Sequence, residues 1–197
     1  MPKPEAFPTG AAAFDPPPEE TDEALMTEYA QGNAEAFERL YARHKGPLYR
    51  YFLRQLSEPN ARDCYQEAWL KLVRAKSSYT PSGSFKAYLF TLAHNVLMDE
   101  FRKQMRAPEV TPDDPEHIAD GVSVEATVNR AELIEHLHRI LKSLPVYQRE
   151  AWLLKQETGL TLKEIATLTK SGEEGVKSRL RYASSKLKAG MAAYAAE

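Results

Sequence analysis

An all-α fold is predicted, on three observations. Apolar residues recur at steps of three and four from about residue 22 to 106 and again from 128 onward. No segment of useful length alternates apolar and polar residues as a half-buried strand does. Between the two periodic blocks, Pro108, Pro112, Pro115 and Gly121 break the pattern among acids. The expected organisation is a disordered Pro-rich and acidic tail over 1–21, a small four-helix domain over 22–106, a flexible acidic linker over 107–127, and a second small helical domain over 128–197.

The elements follow in order. A first helix is expected near 22–31. A second spans 34–56, with Phe37, Leu40, Tyr41, Leu48, Tyr49, Phe52 and Leu56 as its apolar set and a bend at Gly46-Pro47. The third runs from Asn60, read as its cap, to about 76. A fourth runs from Ser84, also read as a cap, to about 106. The second block yields helices over 128–143 and 145–157, with Pro145 at a helix start and Gly159 as a stop. Two short helices close the chain. Thr161 and Glu164 form a capping box ahead of Leu162, Ile165, Ala166 and Thr169. After the gap, Val176, Leu180 and Ala183 make the buried stripe of a helix whose outer face carries Lys177, Ser178, Arg181 and Tyr182. This is helix-turn-helix spacing, and such a basic helix fits the DNA major groove. A solvated helical hairpin is the alternative reading.

Bulk composition narrows the function. The 197 residues carry a formal net charge of −2, but the charge is blocked along the chain. Residues 1–23 hold one Lys against six acids, and 107–128 hold six acids and no Lys or Arg. In contrast, 24–106 hold thirteen Lys and Arg against eight acids, and 129–197 hold twelve against eight. Two mildly basic bodies separated by an acidic segment suit two DNA-touching modules on a tether. The single cysteine, Cys64, excludes an internal disulfide and reads as a packed thiol. No apolar run approaches the roughly 18 residues of a membrane span. No basic-then-apolar leader opens the chain, so a cytoplasmic location without membrane insertion is expected. No glycine-rich phosphate loop, catalytic serine motif or paired carboxylates occur, and His136 and His138 lie two apart on a helix, a poor metal pair. No catalytic residue, metal or cofactor is therefore expected.

Two further faces carry chemistry. On the third helix, Tyr65, Trp69, Leu72 and Val73 should be core. Asp63, Gln66, Glu67, Leu70 and Arg74 fall on another side. That side is polar with one exposed leucine, which hints at a partner surface. On the fourth helix, Phe85, Tyr88, Leu89, Leu92, Ala93 and Val96 make the buried stripe. Thr91, Asn95, Met98, Asp99, Arg102 and Arg106 make a second face, with Lys103 beside it. Asn, Arg and Lys on a helix face read bases and phosphates. The loop 77–83 ahead of this helix is short and polar, with one aromatic ring. Ser78, Tyr79 and Thr80 could hold an unstacked base there, or form an ordinary connection.

Three motifs in order resemble a known family. The run from Asp63 to Val73 resembles the second-region helix of bacterial sigma factors of the extracytoplasmic-function (ECF) group, the helix that docks on core polymerase. Residues Phe85 to Asn95, with Asp99 and Arg102, resemble the promoter-melting helix. Leu144-Pro145-Val146-Tyr147-Gln148-Arg149-Glu150, then Leu162 to Ala166 and Val176 to Leu180, resemble the fourth region. The likeness covers about 22–106 and 128–190.

The resemblance implies a transcription initiation factor, not an enzyme, that gives RNA polymerase its promoter choice. Its partners would be core RNA polymerase, through the clamp helices and the flap, and promoter DNA, with an anti-sigma factor or other external regulator. Asp63, Gln66, Glu67, Leu70 and Arg74 would meet polymerase. Thr91, Asn95, Asp99, Arg102 and Lys103 would engage the minus-ten element, with a flipped base captured by Ser78, Tyr79 and Thr80. Thr161, Lys177, Ser178, Arg181 and Tyr182 would contact the minus-thirty-five element. The helix-turn-helix departs from the family pattern. Lys170 stands where glycine is usual, Ser171 where an apolar residue is usual, and Gly175 where threonine is common. Glu173 and Glu174 suit the helix dipole but repel phosphate. Weak DNA binding by this module alone is the expectation. A stand-alone helix-turn-helix regulator that does not bind core polymerase is the competing reading.

Overall fold

A computed structural model describes residues 20–106 and 124–194, eight α-helices and a short 3-10 turn. The expected tail and linker lie almost wholly outside the described residues. No strand is present among those described.

Local chemistry sets each boundary. Helix α1 (Asp22–Ala30) starts at Thr21, whose side chain accepts the Ala24 N–H. Asp22 and Glu23 then sit at the positive end of the helix dipole. Both also reach across the fold. Asp22 receives Arg43 at 2.7 Å and His44 at 2.6 Å from α2 (Ala34–Leu53). Glu23 accepts the backbone N–H of Phe85 at 2.6 Å, satisfying a free donor at the start of α4 (Phe85–Arg106). Helix α1 thus ties two other helices together through its first two residues.

Helix α2 runs through Pro47 as one element and ends at Leu53, three residues before the expected 56. Leu56 is buried in the turn that follows, its N–H bonded to Phe52. Helix α3 (Glu58–Ala75) starts two residues ahead of Asn60, so Asn60 is not its cap. Pro59 explains the shift: its missing N–H costs nothing in a first turn, and Ser57 takes the cap position. Ser84 does cap α4, accepting the Ala87 N–H at 3.3 Å.

The second group comprises α5 (Val124–Ser143), α6 (Val146–Thr158), α7 (Leu162–Leu168) and α8 (Glu173–Tyr194). Gly159 ends α6 in the left-handed region at φ 71°, as its sequence position suggests. Both halves of the capping box form at Thr161 and Glu164. The turn between α7 and α8 bends through Lys170 at φ 51°.

Helices α1 to α4 pack on one another, and α5, α6 and α7 pack on α8. The two groups also meet, α6 on α2 and α7 on α4, so that one buried apolar cluster runs through both. This contact explains the core residues that the expected stripes miss. Tyr51 is fully buried, as are Phe90 and Leu97, and His94 is 8% exposed. On α4 the latter three stand four and three apart, a second buried stripe beside the expected one. Tyr41, in contrast, is 37% exposed, and Tyr49, Tyr65 and Val73 are only half-buried.

Candidate nucleic-acid and protein interfaces

Four patches of functional chemistry stand on separate elements. The polar face of α3 is open to solvent. Asp63, Gln66 and Arg74 are exposed, and Leu70 is 47% exposed although the opposite side of the helix buries Ala61, Cys64, Ala68, Trp69 and Leu72. Arg74 lies 3.6 Å from Glu67, an exposed pair of little energetic weight. An apolar side chain held in water among acids and a base matches the core-and-rim composition of a protein interface. Burial pushes the Cys64 thiol up to about 11, which keeps it protonated and inert.

The second patch is the outer strip of α4. Asn95, Asp99, Arg102, Lys103 and Arg106 are exposed along it. Asp99 pairs with Arg102 at 2.7 Å and with Lys71 of α3 at 3.7 Å, so that one carboxylate orients two cations. Lys71 escaped the sequence reading, because only the α3–α4 packing places it beside this strip. Thr91 sits apart from the strip. It is half-buried, donates its hydroxyl to Ala87 O at 2.7 Å and faces α7.

The third patch is the loop before α4. A cavity of about 350 Å³ opens there, with Tyr79, Tyr88, Thr80 and Ser82 on one side. Its other side is built by α7, through Lys163, Glu164 and Thr167. The Tyr79 and Tyr88 rings lie 5.2 Å apart, and Tyr79 also packs edge-on against the buried Phe85. Tyr79 is therefore anchored as well as accessible, and Tyr88 joins it as a second ring, one the sequence reading assigned to the core. Ser78 turns away, donating to Ala75 O at 3.0 Å. The space and the ring faces suit one planar, hydrogen-bonding group.

The fourth patch lies on α8. Lys177, Arg181 and Tyr182 are exposed, and Ser178 is half-buried. Arg181 lies over the Tyr182 ring at 5.4 Å, and Lys177 meets Glu174 at 3.3 Å. Thr161 stands on a different element, at the start of α7, and its hydroxyl is engaged with Glu164. Those bonds hold the Glu164 carboxyl below its ordinary value. Arg179, unassigned from sequence, braces the turn instead: it donates to Ser171 at 3.3 Å and lies over Tyr147. Among the described residues, no three His, Cys, Asp or Glu side chains converge as a metal site would require. None of their helices is long and apolar enough to cross a membrane.

Comparison with known proteins matches residues 40–107 to the family Sigma-70 region 2. The ECF RNA polymerase sigma factor SigK of Mycolicibacterium vanbaalenii is 31% identical over 182 residues, covering 87% of this chain and 90% of that protein. Two solved structures share the fold. CnrH, in complex with the cytosolic domain of CnrY, superposes with a TM-score of 0.66 at 24% identity, over 88% of this chain and 99% of that one. The sigma factor RpoE of Bartonella quintana, in complex with the anti-sigma factor NepR, gives 0.66 at 20% identity, over 80% and 98%.

Proposed function

This chain belongs to the ECF sigma factors of bacterial RNA polymerase, and from that premise we propose how its faces divide the work. It is a non-enzymatic initiation factor that binds core polymerase and directs it to promoters. Polymerase makes the phosphodiester bond. The sigma chain contributes position, sequence choice and strand opening.

The α3 face of Asp63, Gln66, Glu67, Leu70 and Arg74 is assigned to core polymerase. One observation carries this: Leu70 is nearly half exposed on a helix that buries Ala61, Cys64, Ala68, Trp69 and Leu72. The α4 strip of Asn95, Asp99, Arg102 and Lys103 is assigned to the minus-ten element. Its cations gain affinity by displacing counterions from phosphates, and Asn95 supplies both a donor and an acceptor for base edges. The Tyr79–Tyr88 cavity, with Thr80 at its rim, is assigned to one unstacked base. Opening a duplex costs a few kcal/mol for each base taken out of the stack, and stacking on a ring offsets about 1–3 kcal/mol of that. The α8 face of Lys177, Ser178, Arg181 and Tyr182 is assigned to the minus-thirty-five element. Thr161 supports that face by capping α7 and is placed near the backbone rather than the bases. Two weak modules on one chain reach useful affinity through effective concentration.

The functional domains are taken as 22–106 and 124–197, the second starting with α5 at Val124, four residues ahead of the expected 128. Control by an external anti-sigma protein, and a cytoplasmic location, follow from this reading. The test is run-off transcription with purified core polymerase. Asp63→Arg together with Glu67→Arg should lower core affinity at least tenfold, about 1.4 kcal/mol, with the helical circular dichroism unchanged. Unaltered affinity would remove the α3 face from the assignment.

A further inference from the structure

We infer that Glu23 of α1 is a positioning residue for promoter opening: its carboxylate fixes where α4 begins, and with it the Tyr79–Tyr88 ring platform on which an unstacked base is held. The inference rests on the assignment of that cavity to a base, and its experiment separates the two.

Helix α1 bears none of the four patches, yet it spans the loop that leads into α4. At the near end of that loop, Lys76 lies over the ring of Tyr29 at 4.9 Å, and Tyr29 is buried. At the far end, Glu23 Oε1 accepts the Phe85 N–H at 2.6 Å. Glu23 and Tyr29 stand six residues apart, about 9 Å along the helix. A helix is stiff over two turns, so α1 acts as a strut that sets the distance between the ends of loop 77–83.

The far contact is the one that reaches the rings. A helix leaves its first N–H groups without intrahelical acceptors. On α4, Ser84 takes the Ala87 N–H and Glu23 takes that of Phe85. The Glu23 carboxylate therefore sits at the positive end of two helix dipoles, that of its own helix and that of α4. The Phe85 side chain is fully buried, and its ring lies 5.4 Å from that of His44, which Asp22 holds at 2.6 Å. Two consecutive α1 acids thus pin Phe85, one through its backbone and one through its ring. Tyr79 packs edge-on against Phe85 at 6.5 Å and leans on Tyr88 at 5.2 Å. Burial pushes the Tyr79 hydroxyl up and the Glu23 carboxylate pushes it further, so that charge lies within electrostatic reach of the ring.

The loop's own hydrogen bonds cluster at its start, from Tyr79 N–H to Lys76 O at 3.3 Å and from Ser78 to Ala75 O at 3.0 Å. Thr80, Pro81, Ser82 and Gly83 are exposed. Without the Glu23 acceptor, the first turn of α4 is free to fray and the Tyr79 ring loses its fixed backing. A bound base must then order the ring as well as itself, and that ordering is subtracted from its affinity. The cost falls on the step that holds the strand, while the faces on α3 and α8 are untouched.

The experiment is a coupling cycle between protein and strand. Holoenzyme assembled from core polymerase and the full chain is bound to a single-stranded non-template minus-ten oligonucleotide, from a promoter that supports run-off. An abasic site replaces each nucleotide in turn. With the wild-type chain, one position should lose about tenfold in affinity when its base is removed. Glu23→Ala should lose about fivefold on the intact strand. It should lose almost nothing on the strand abasic at that position, with core affinity unchanged. Glu23→Gln keeps an acceptor and should match the wild type. Glu23→Asp keeps the charge but falls one methylene short of Phe85, and should match Glu23→Ala. Equal losses for Glu23→Ala on intact and abasic strands would mean a structural role alone and overturn the inference. A Glu23→Gln chain as weak as Glu23→Ala does so too, as does a Glu23→Asp chain with wild-type affinity. Should Glu23→Ala fail to fold by circular dichroism, the Gln and Asp pair carries the same comparison. Tyr79→Ala tells the two readings apart. If it couples to one abasic position and the Glu23 variants do not, the inference alone falls. If Tyr79→Ala couples to none, the base assignment falls and takes the inference with it.

Discussion

Lys170 occupies the left-handed backbone region at φ 51°, in the turn where the family usually places glycine. An L side chain there costs on the order of 1–2 kcal/mol. Replacement by glycine relieves it, less the larger entropy glycine loses on folding. Lys170→Gly should therefore raise the urea midpoint by the equivalent of about 1 kcal/mol or less, with helix content unchanged. A second residue-scale effect lies at Asp22 and His44. Burial pushes the Asp22 carboxyl up, but hydrogen bonds and charge from Arg43 and His44 outweigh it and hold the group below its ordinary value. Burial pulls the His44 imidazole down, against the opposing pull of Asp22. For both groups the unfolded chain binds protons more readily than the folded one. Stability is thus full above the ordinary histidine range and falls as pH drops through that range and then through the carboxylate range. Denaturant midpoints from neutral to acid pH should show this decline. The combined variant Asp22→Asn, His44→Gln should show a shallower one from a lower starting stability.

At the scale of elements, the second helical group depends on a close approach. A Cβ on Gly190 of α8 would lie 2.5 Å from Ile140 Cδ1 and 2.9 Å from its Cγ1. The same segment accepts a bond from His136 Nε2 at Gly190 O, 3.1 Å, while the His136 ring stacks on Tyr194. Gly190→Ala should gain about 1 kcal/mol of helix propensity and lose about 1–3 kcal/mol to overpacking, a net loss in thermal stability. Ile140→Val in the same chain removes the Cδ1 contact but keeps Cγ1, so it should recover part of the loss, and equal melting temperatures for the single and double variants would place the strain elsewhere. Gly190 gave no signal in sequence, since a glycine late in a helical pattern reads as a weak spot until a partner helix is seen against it. The capping box at Thr161 and Glu164 is the opposite case: its partners are three residues apart, so the chain's own spacing brings them together.

For the whole molecule, the exposed cations on both helical groups should make the promoter complex salt-sensitive. Each cation that meets a phosphate adds about one to the slope of log affinity against log salt. With holoenzyme on promoter DNA, Arg102→Ala and Arg181→Ala should each lower that slope by about one and weaken binding. A variant with the slope unchanged would show that its arginine does not meet phosphate. The exposed faces were legible as types of surface, acid with leucine on α3 and base with amide on α4, because exposure follows from helical periodicity once one stripe is buried. The weak point of that logic is α4. It buries two stripes, and the sequence reading allowed one, so that Thr91 was set on the open face when α7 lies against it.

From the sequence alone came the helical class, most caps and the helix-turn-helix spacing, all of which rest on interactions spanning about four residues. Only the tertiary structure decided that Tyr51, His94 and Glu150 share one buried centre, that Glu157 lies between Arg50 and Arg54, and that α7 walls the loop cavity. Those contacts join residues about fifty to a hundred apart, and a lone histidine, tyrosine or glutamate on a helix looks the same from its own neighbours whether water or another helix covers it. Local periodicity is written into the chain at every turn, whereas the meeting of two helical bodies depends on the shape and charge of both surfaces at once.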